Sequence, residues 1–265
     1  MAKTVRPIKR LGQHFLIDKH IARHIVEAVD INEGDRVLEI GPGEGVLTEI
    51  LLESQASQVV CVEVDERLSS ILDKKFGSDP RFFLVKDDFL KNDGLSQFNE
   101  KGHIRVVGNL PYSITSPILF HILEKRDRME IFVAMMQKEV AQRIVSGPGS
   151  KIYGIPSVLF QIVSCPEVLF PVSKTAFHPV PKVESAVMKF RFYKEPIFPL
   201  KNDKLFTQIV KTVFGQRRKM LKNTLQKFVD RKALENSPID LTQRPEQLSC
   251  NQFADLSNWL VTKMD

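Results

Sequence analysis

The sequence has only three cysteines, Cys61, Cys165 and Cys250, and one tryptophan in 265 residues. The odd number and wide spacing of the thiols argue against a disulfide framework or a cysteine zinc site and make the cell interior the expected compartment. Long apolar runs are missing too. The stretch from Val158 to Val163 is broken by Gln161, so no membrane-spanning segment is expected. The first ten residues, MAKTVRPIKR, contain no apolar stretch of the kind a secretory signal needs. The six histidines, His14, His20, His24, His103, His121 and His178, show no metal-ligand spacing, so no metal is expected. His20 and His24, four apart, read as one face of an amphipathic helix. Repeats and low-complexity tracts are absent.

What is present is an ordinary globular composition, 43% hydrophobic and 26% charged, sufficient for one large or two modest domains. The charge is unevenly placed. The net charge is +6, yet Lys211, Arg217, Arg218, Lys219, Lys222, Lys227, Arg231 and Lys232 face a single acid, Asp230, between positions 211 and 232. That segment alone exceeds the whole-chain balance, leaving the remainder slightly acidic. A concentration of this kind suits a polyanion, nucleic acid first; the plainer alternative is a solvated helix face.

The first half alternates short apolar runs with helical patterns. Strands are expected at Arg36–Ile40, Val59–Val64, Phe82–Val85, Ile104–Val107 and Ile131–Met135, with helices at Val46–Leu52, Leu68–Phe76 and Pro117–Glu124 between them. Such alternation implies an α/β fold with a parallel sheet covered on both faces, whose ligands bind beyond the carboxyl ends of the strands. A proline-rich stretch from Pro166 to Pro181 precedes an expected strand at Ala186–Phe192, and Pro196–Pro199 reads as a linker. Beyond it the pattern is helical: Phe206, Ile209, Val210 and Val213 share one face, while Arg218 and Lys222 stand four apart on another. The expected division is a domain at 1–194 and a small all-α domain at 195–265.

The turn after the first expected strand of the sheet reads Glu39-Ile40-Gly41-Pro42-Gly43-Glu44-Gly45, with Glu63 22 residues beyond Gly41. Glycines allow a tight turn and close approach of a ligand to the main chain. An acid at Glu63's distance suits a ribose, because one carboxylate accepts from two hydroxyls. A dinucleotide would need a small residue where Val46 stands, and Glu44 would oppose its pyrophosphate. S-adenosylmethionine carries a sulfonium cation and no phosphate, so this turn favours the methyl donor over NAD; a purely structural turn is the bland alternative. Asp87-Asp88 closes the third strand, where a carboxylate would accept from an adenine amino group. Alone, such a pair reads as a surface turn.

Gly108-Asn109-Leu110-Pro111-Tyr112 follows the fourth strand. An exocyclic adenine amine is a poor nucleophile because its lone pair is delocalised into the ring. Two acceptors aligned on its hydrogens favour pyramidalisation and aim the lone pair at a methyl donor, which is catalysis by position and electrostatics. The Asn109 side-chain oxygen and the Leu110 carbonyl are the expected acceptors, and Tyr112 the surface on which an extruded base stacks. Without the upstream glycine turn, an ordinary proline loop would be the commoner explanation.

Taken together, Gly12-Gln13-His14-Phe15-Leu16, the glycine turn, Asn109-Leu110-Pro111-Tyr112, Gln137-Lys138-Glu139-Val140, Phe177-x-Pro179-x-Pro181-x-Val183-x-Ser185 and Gln216-Arg217-Arg218-Lys219 resemble the KsgA-type family of ribosomal RNA adenine dimethyltransferases. The resemblance implies a Rossmann-like class I methyltransferase sheet with a small C-terminal all-α domain. It implies an S-adenosyl-L-methionine-dependent enzyme that dimethylates N6 of two adjacent adenosines in the 3′-terminal hairpin loop of 16S rRNA, within small-subunit particles. By the same resemblance His14, Leu16, Gly41, Glu63, Asp88 and Asn109 would hold the cofactor, and Phe177 would be a second aromatic wall for the target base. Arg217, Arg218, Lys219 and Lys222 are the expected phosphate contacts, setting affinity more than base choice. Many bacterial members have Asn where this chain has His14.

The nearest rival is an Erm-type enzyme acting on 23S rRNA, which often has Ile at the position of Leu110. A rival of another class is a ribosome-assembly factor whose main role is RNA binding, and an NAD oxidoreductase is more distant. A cytoplasmic monomer with no membrane association is the expected form.

Overall fold

A computed structural model describes residues 5–8, 11–98, 103–195 and 197–264. Pro196, at the start of the expected linker, and residues 1–4 and 9–10 of the N-terminal decapeptide lie outside the described residues. The chain divides into two compact units, one formed by 1–141 with 167–192 and the other by 142–166 with 193–265.

The first unit begins with a short strand β1 (Phe15–Leu16) and helix α1 (Lys19–Glu27), which is capped by the Asp18 carboxylate accepting from the His20 and Ile21 amides. There follow β2 (Arg36–Ile40), α2 (Val46–Glu53), β3 (Gln58–Val62), α3 (Glu66–Phe76), β4 (Phe82–Val85), β5 (Ile104–Asn109), α4 (Thr115–Glu124) and β6 (Met129–Gln137). These are the expected strands and helices, with ends shifted by a few residues. Their runs of valine, isoleucine and leucine suit strands buried on both faces; Val37, Leu38, Val59, Val60, Val106 and Val107 are completely buried.

After β6 the chain runs through α5 (Lys138–Val145) and α6 (Ile155–Val163), then β7 (Ser164–Val172), β8 (Phe177–His178) and β9 (Ser185–Phe192). The seven-stranded sheet has the order β4-β3-β2-β5-β6-β9-β7. The pairs from β4 to β6 are parallel and β9 runs antiparallel to β6. From β2 the chain moves outward through β3 to β4, then returns to place β5 on β2's other side. That reversal between β2 and β5 opens a crevice at their carboxyl ends. The register sets Ile40 beside Gly108, and a Cβ on Gly108 would lie 2.7 Å from the Ile40 carbonyl oxygen. Only glycine allows that approach.

The proline-rich stretch is more regular than its composition implies. It contains β7 and β8, and β7 accommodates Pro166 and Pro171 because it lies at the edge of the sheet.

In the second unit α6 packs with α7 (Asp203–Phe214) and α9 (Cys250–Met264), and α8 (Leu221–Thr224) is a single turn between them in sequence. Tyr153, Phe160, Phe206 and Phe253 are fully buried there; Phe214 packs edge-on to Tyr153 and at a tilt against Phe253. The structure therefore assigns 142–166 to this unit, whereas a single cut after residue 194 was expected. The reason is that α6 is apolar and needs the aromatic faces of α7 and α9. One further expectation is corrected. Arg218 and Lys222 do not share a helix face, because α7 stops at Phe214 and residues 215–218 form a turn. The Leu221 and Lys222 amides then donate to the carbonyls of Gln243 and Leu241, at 2.9 Å each, which fixes α8 as a new start.

Candidate active site

A cavity opens at the reversal between β2 and β5. Its wall is drawn from the N-terminal segment and from the ends of β2, β3, β4 and β5. His14, Leu16, Gly41, Glu63, Asp88, Asn109, Leu110 and Tyr112, eight of the residues expected from sequence, line it together. Phe177 does not.

The glycine turn is shaped by its own acids. Gly41 and Gly43 both have positive φ, 64° and 60°, a region open to glycine and costly for most residues. A Cβ at Gly41 would meet nothing within 4 Å, so its main chain borders open space. Glu63 lies just past β3 and is 5% exposed. One carboxylate oxygen accepts the Gly43 amide at 3.1 Å and the other the Asp65 amide at 2.9 Å. Burial pushes this carboxyl up, and the two amides pull it back.

Beneath the turn stands Glu39, 1% exposed. One of its oxygens accepts the Thr48 hydroxyl at 2.7 Å and the Cys61 thiol at 3.4 Å. Burial pushes Glu39 up to about 7, since a charge with few partners is disfavoured in a dry interior. In the sequence Glu39 is distinguished only as the residue that opens the glycine motif. Its position between Leu38 and Ile40, in the apolar part of β2, is the available signal. Asp65 was likewise missed: its carboxylate accepts from Arg67 at 2.6 Å and from Gln13 at 3.0 Å, and Arg67 holds it down to about 2. Gln13 in turn accepts the Ile8 amide, and Glu44 accepts that of Val5. The N-terminal segment is thereby tied to the cavity rim.

At the end of β5, the Asn109 side-chain amide donates to the His14 carbonyl at 2.9 Å. That bond decides which end of the amide is the donor, leaving Oδ1 as the acceptor end. Leu110 is 1% exposed and its amide donates to the Met135 carbonyl. The Pro111 carbonyl accepts from the Ile114 amide and the Thr115 hydroxyl, so the turn runs directly into α4. The Tyr112 hydroxyl is 2.5 Å from the Ser185 hydroxyl, and its ring centroid is 5.4 Å from that of His14. Burial pushes the Tyr112 hydroxyl up, so it remains a neutral phenol.

The charge of the wall is one-sided. It carries Glu39, Glu44, Glu63, Asp87 and Asp88 and, among the described residues, no lysine or arginine. A pyrophosphate would meet these acids with no lysine or arginine to offset them, whereas a ligand bearing a sulfonium and an ammonium fits.

Residues 6–262 match the family described as ribosomal RNA adenine dimethylase. The chain belongs to that family. It is an S-adenosylmethionine-dependent methyltransferase, and the acid-lined cavity suits that cofactor. Among similar proteins is the ribosomal RNA small subunit methyltransferase A of Pseudomonas aeruginosa, 42% identical over 97% of this chain and 95% of its own length. A dimethyladenosine transferase of Plasmodium falciparum shares the fold, with a TM-score of 0.75 and 23% identity over 92% of this chain and 96% of its own. The 23S rRNA methyltransferase ErmE superposes with a TM-score of 0.68 at 28% identity, over 93% of this chain and 99% of its own.

Two residues expected from the family pattern stand elsewhere than anticipated. Phe177 is 1% exposed and belongs to the hydrophobic core with Leu16, Val172, Ala176 and Val187. Its place opposite Leu16 in the β1–β8 pair turns it inward, so this conformation does not present it as a wall for a base. In the second unit Arg217 is already engaged. Its guanidinium donates to the Lys151 carbonyl at 2.8 Å and the Ser150 carbonyl at 3.1 Å, and it pairs with Glu246 at 3.6 Å. Arg218 and Lys219 are exposed on the turn, and Lys222 is half-buried. No helix among the described residues is long and apolar enough to cross a membrane, and no group of residues there is arranged to hold a metal.

Proposed function

We propose that this protein transfers two methyl groups to N6 of each of two adjacent adenosines in the 3′-terminal hairpin loop of 16S rRNA, acting on small-subunit particles during ribosome biogenesis. The observation that carries the chemistry is Asn109, whose amide is pinned by the His14 carbonyl with its oxygen left for a substrate amine. In this reading Glu63 accepts from the ribose of the cofactor, Asp88 from its adenine, and the Gly41 main chain and Leu16 shape the methionine end. S-adenosylmethionine, when bound, supplies the electrophilic methyl group. Asn109 Oδ1 and the Leu110 carbonyl accept the two amine hydrogens and direct the nitrogen lone pair, while Tyr112 stacks on the base. Both acceptors are neutral. A monomethylated amine keeps one hydrogen, and a neutral acceptor gives up its partner at lower cost than a buried carboxylate would.

Arg218, Lys219 and Lys222 contact RNA phosphates in this reading, and Arg217 supports their turn. The small-subunit address rests on the family pattern and on the high identity, over nearly full length, to relatives named for the small subunit. A cytoplasmic enzyme acting as a monomer is the form proposed. The test is incubation with unmodified small and large subunits and a labelled methyl donor, followed by mass-spectrometric mapping of modified bases. Dimethyladenosine at the paired positions of 16S rRNA is expected. Label confined to 23S rRNA would make the enzyme Erm-like, and particle binding without transfer would make it an assembly factor.

A further inference from the structure

We infer that the His14 side chain is a positioning residue for the target base, acting through Tyr112 and the proline segment rather than on the cofactor. This rests on the reading of the Asn109–Tyr112 turn as the place where the base is held. Residue 14 makes three contacts of two kinds. Its main-chain carbonyl accepts from Asn109 at 2.9 Å, a contact any amino acid at this position supplies. Its imidazole makes the other two. Nδ1 is 2.7 Å from the Pro179 carbonyl oxygen, and because a carbonyl only accepts, Nδ1 carries the hydrogen and donates it. The same ring lies against Tyr112, with centroids 5.4 Å apart and planes inclined by 32°.

Tyr112 is thus held at two places, its hydroxyl by Ser185 at the start of β9 and its ring by His14. Proper stacking of a base needs a ring that does not swing, and a small displacement of the reacting nitrogen is costly to methyl transfer. His14 also ties the N-terminal segment, through Pro179, to the segment that leads into β9. The bond and the ring contact are separable by substitution. Asn at 14 keeps a donor for the Pro179 carbonyl but no ring, Phe keeps a ring but no donor, and Ala keeps neither.

The test compares wild type, His14→Asn, His14→Phe and His14→Ala for S-adenosylhomocysteine affinity by calorimetry and for kcat and KM on unmodified small subunits. Expected for His14→Ala is a cofactor-product affinity within about twofold of wild type and a kcat at saturating donor lower by roughly tenfold or more. The Asn and Phe variants should each recover part of that loss. Thermal midpoints confirm that each variant is folded; if the Ala variant is not, Asn and Phe carry the comparison. The inference is overturned if saturating donor restores full kcat, which makes the ring a cofactor contact, or if no variant changes turnover. Absence of transfer by the wild-type protein would instead refute the functional reading, which separates the two failures.

Discussion

The cavity of the first unit and the basic turn of the second are opposites in construction. The cavity wall holds five acids and no lysine or arginine among the described residues, and among its polar groups Glu63 accepts a main-chain amide, Glu39 accepts the Thr48 hydroxyl and Asn109 donates to a main-chain carbonyl. The segment from 211 to 232 carries eight cations against one acid, and Arg218 and Lys219 on its turn are exposed. Chemistry on a weak nucleophile needs fixed dipoles in a dry site, whereas holding a long polyanion needs mobile charge that displaces counterions. Arg217 shows that the two styles are not divided by residue type. It lies within the basic run, yet its guanidinium is engaged by two carbonyls and Glu246.

The comparison breaks first at Asn109. Replacing it with Ala should lower single-turnover methyl transfer by about 10²- to 10³-fold or more, while subunit binding measured by sedimentation changes little. A parallel loss of subunit binding would mean that the cavity also anchors the polymer. Glu39 gives the next largest effect. Burial pushes its carboxyl from the ordinary 4.5 up to about 7 in the folded protein, so the unfolded chain gives up this proton at lower pH than the native one does. The penalty is absent below the unfolded value, grows as pH rises between the two, and is complete above the folded value. Glu39→Gln should therefore stabilise the cofactor-free protein at pH 8 by up to ~3 kcal/mol, with the gain shrinking toward pH 5. Denaturant titrations at the two pH values test this, and an equal effect at both would mean that ionisation of Glu39 is not the cause.

The smallest expected effect belongs to the basic turn. Replacing Arg218 and Lys219 together with Ala should weaken subunit binding about tenfold near physiological salt and reduce the log–log salt slope by roughly 1.5. Arg217→Ala should differ in kind, lowering the thermal midpoint because it releases Ser150, Lys151 and Glu246. If Arg217→Ala leaves the midpoint intact and reduces the slope as its neighbours do, Arg217 is an RNA contact like them.

The parallel sheet and the residues at its strand ends were legible because they depend on local signals. Short apolar runs mark β2 to β6, and each motif follows a strand within a few positions. What could not be read depends on partners distant in sequence. Arg217 looks like any exposed cation until the Ser150 and Lys151 carbonyls, some 66 residues earlier, arrive beside it. Phe177 taken alone reads as core, and only the family resemblance of its proline-rich segment made it a wall for the base; its side is chosen by pairing with Leu16. The attachment of 142–166 to the second unit follows from which helices bury α6. The departure at His14 was visible, and the structure adds what the ring touches.

The prolines of β7 have a consequence for the protein in crowded solution. An open sheet ends in unpaired amides and carbonyls, a template on which a second chain can add a strand. On this sheet the β7 border includes Pro166 and Pro171, which have no N–H to offer, with Glu167 exposed between them. At the opposite border β4 is only four residues long. Neither margin presents a long uninterrupted ladder, so a seven-stranded sheet with a very apolar interior is shielded from growing edge to edge into aggregates.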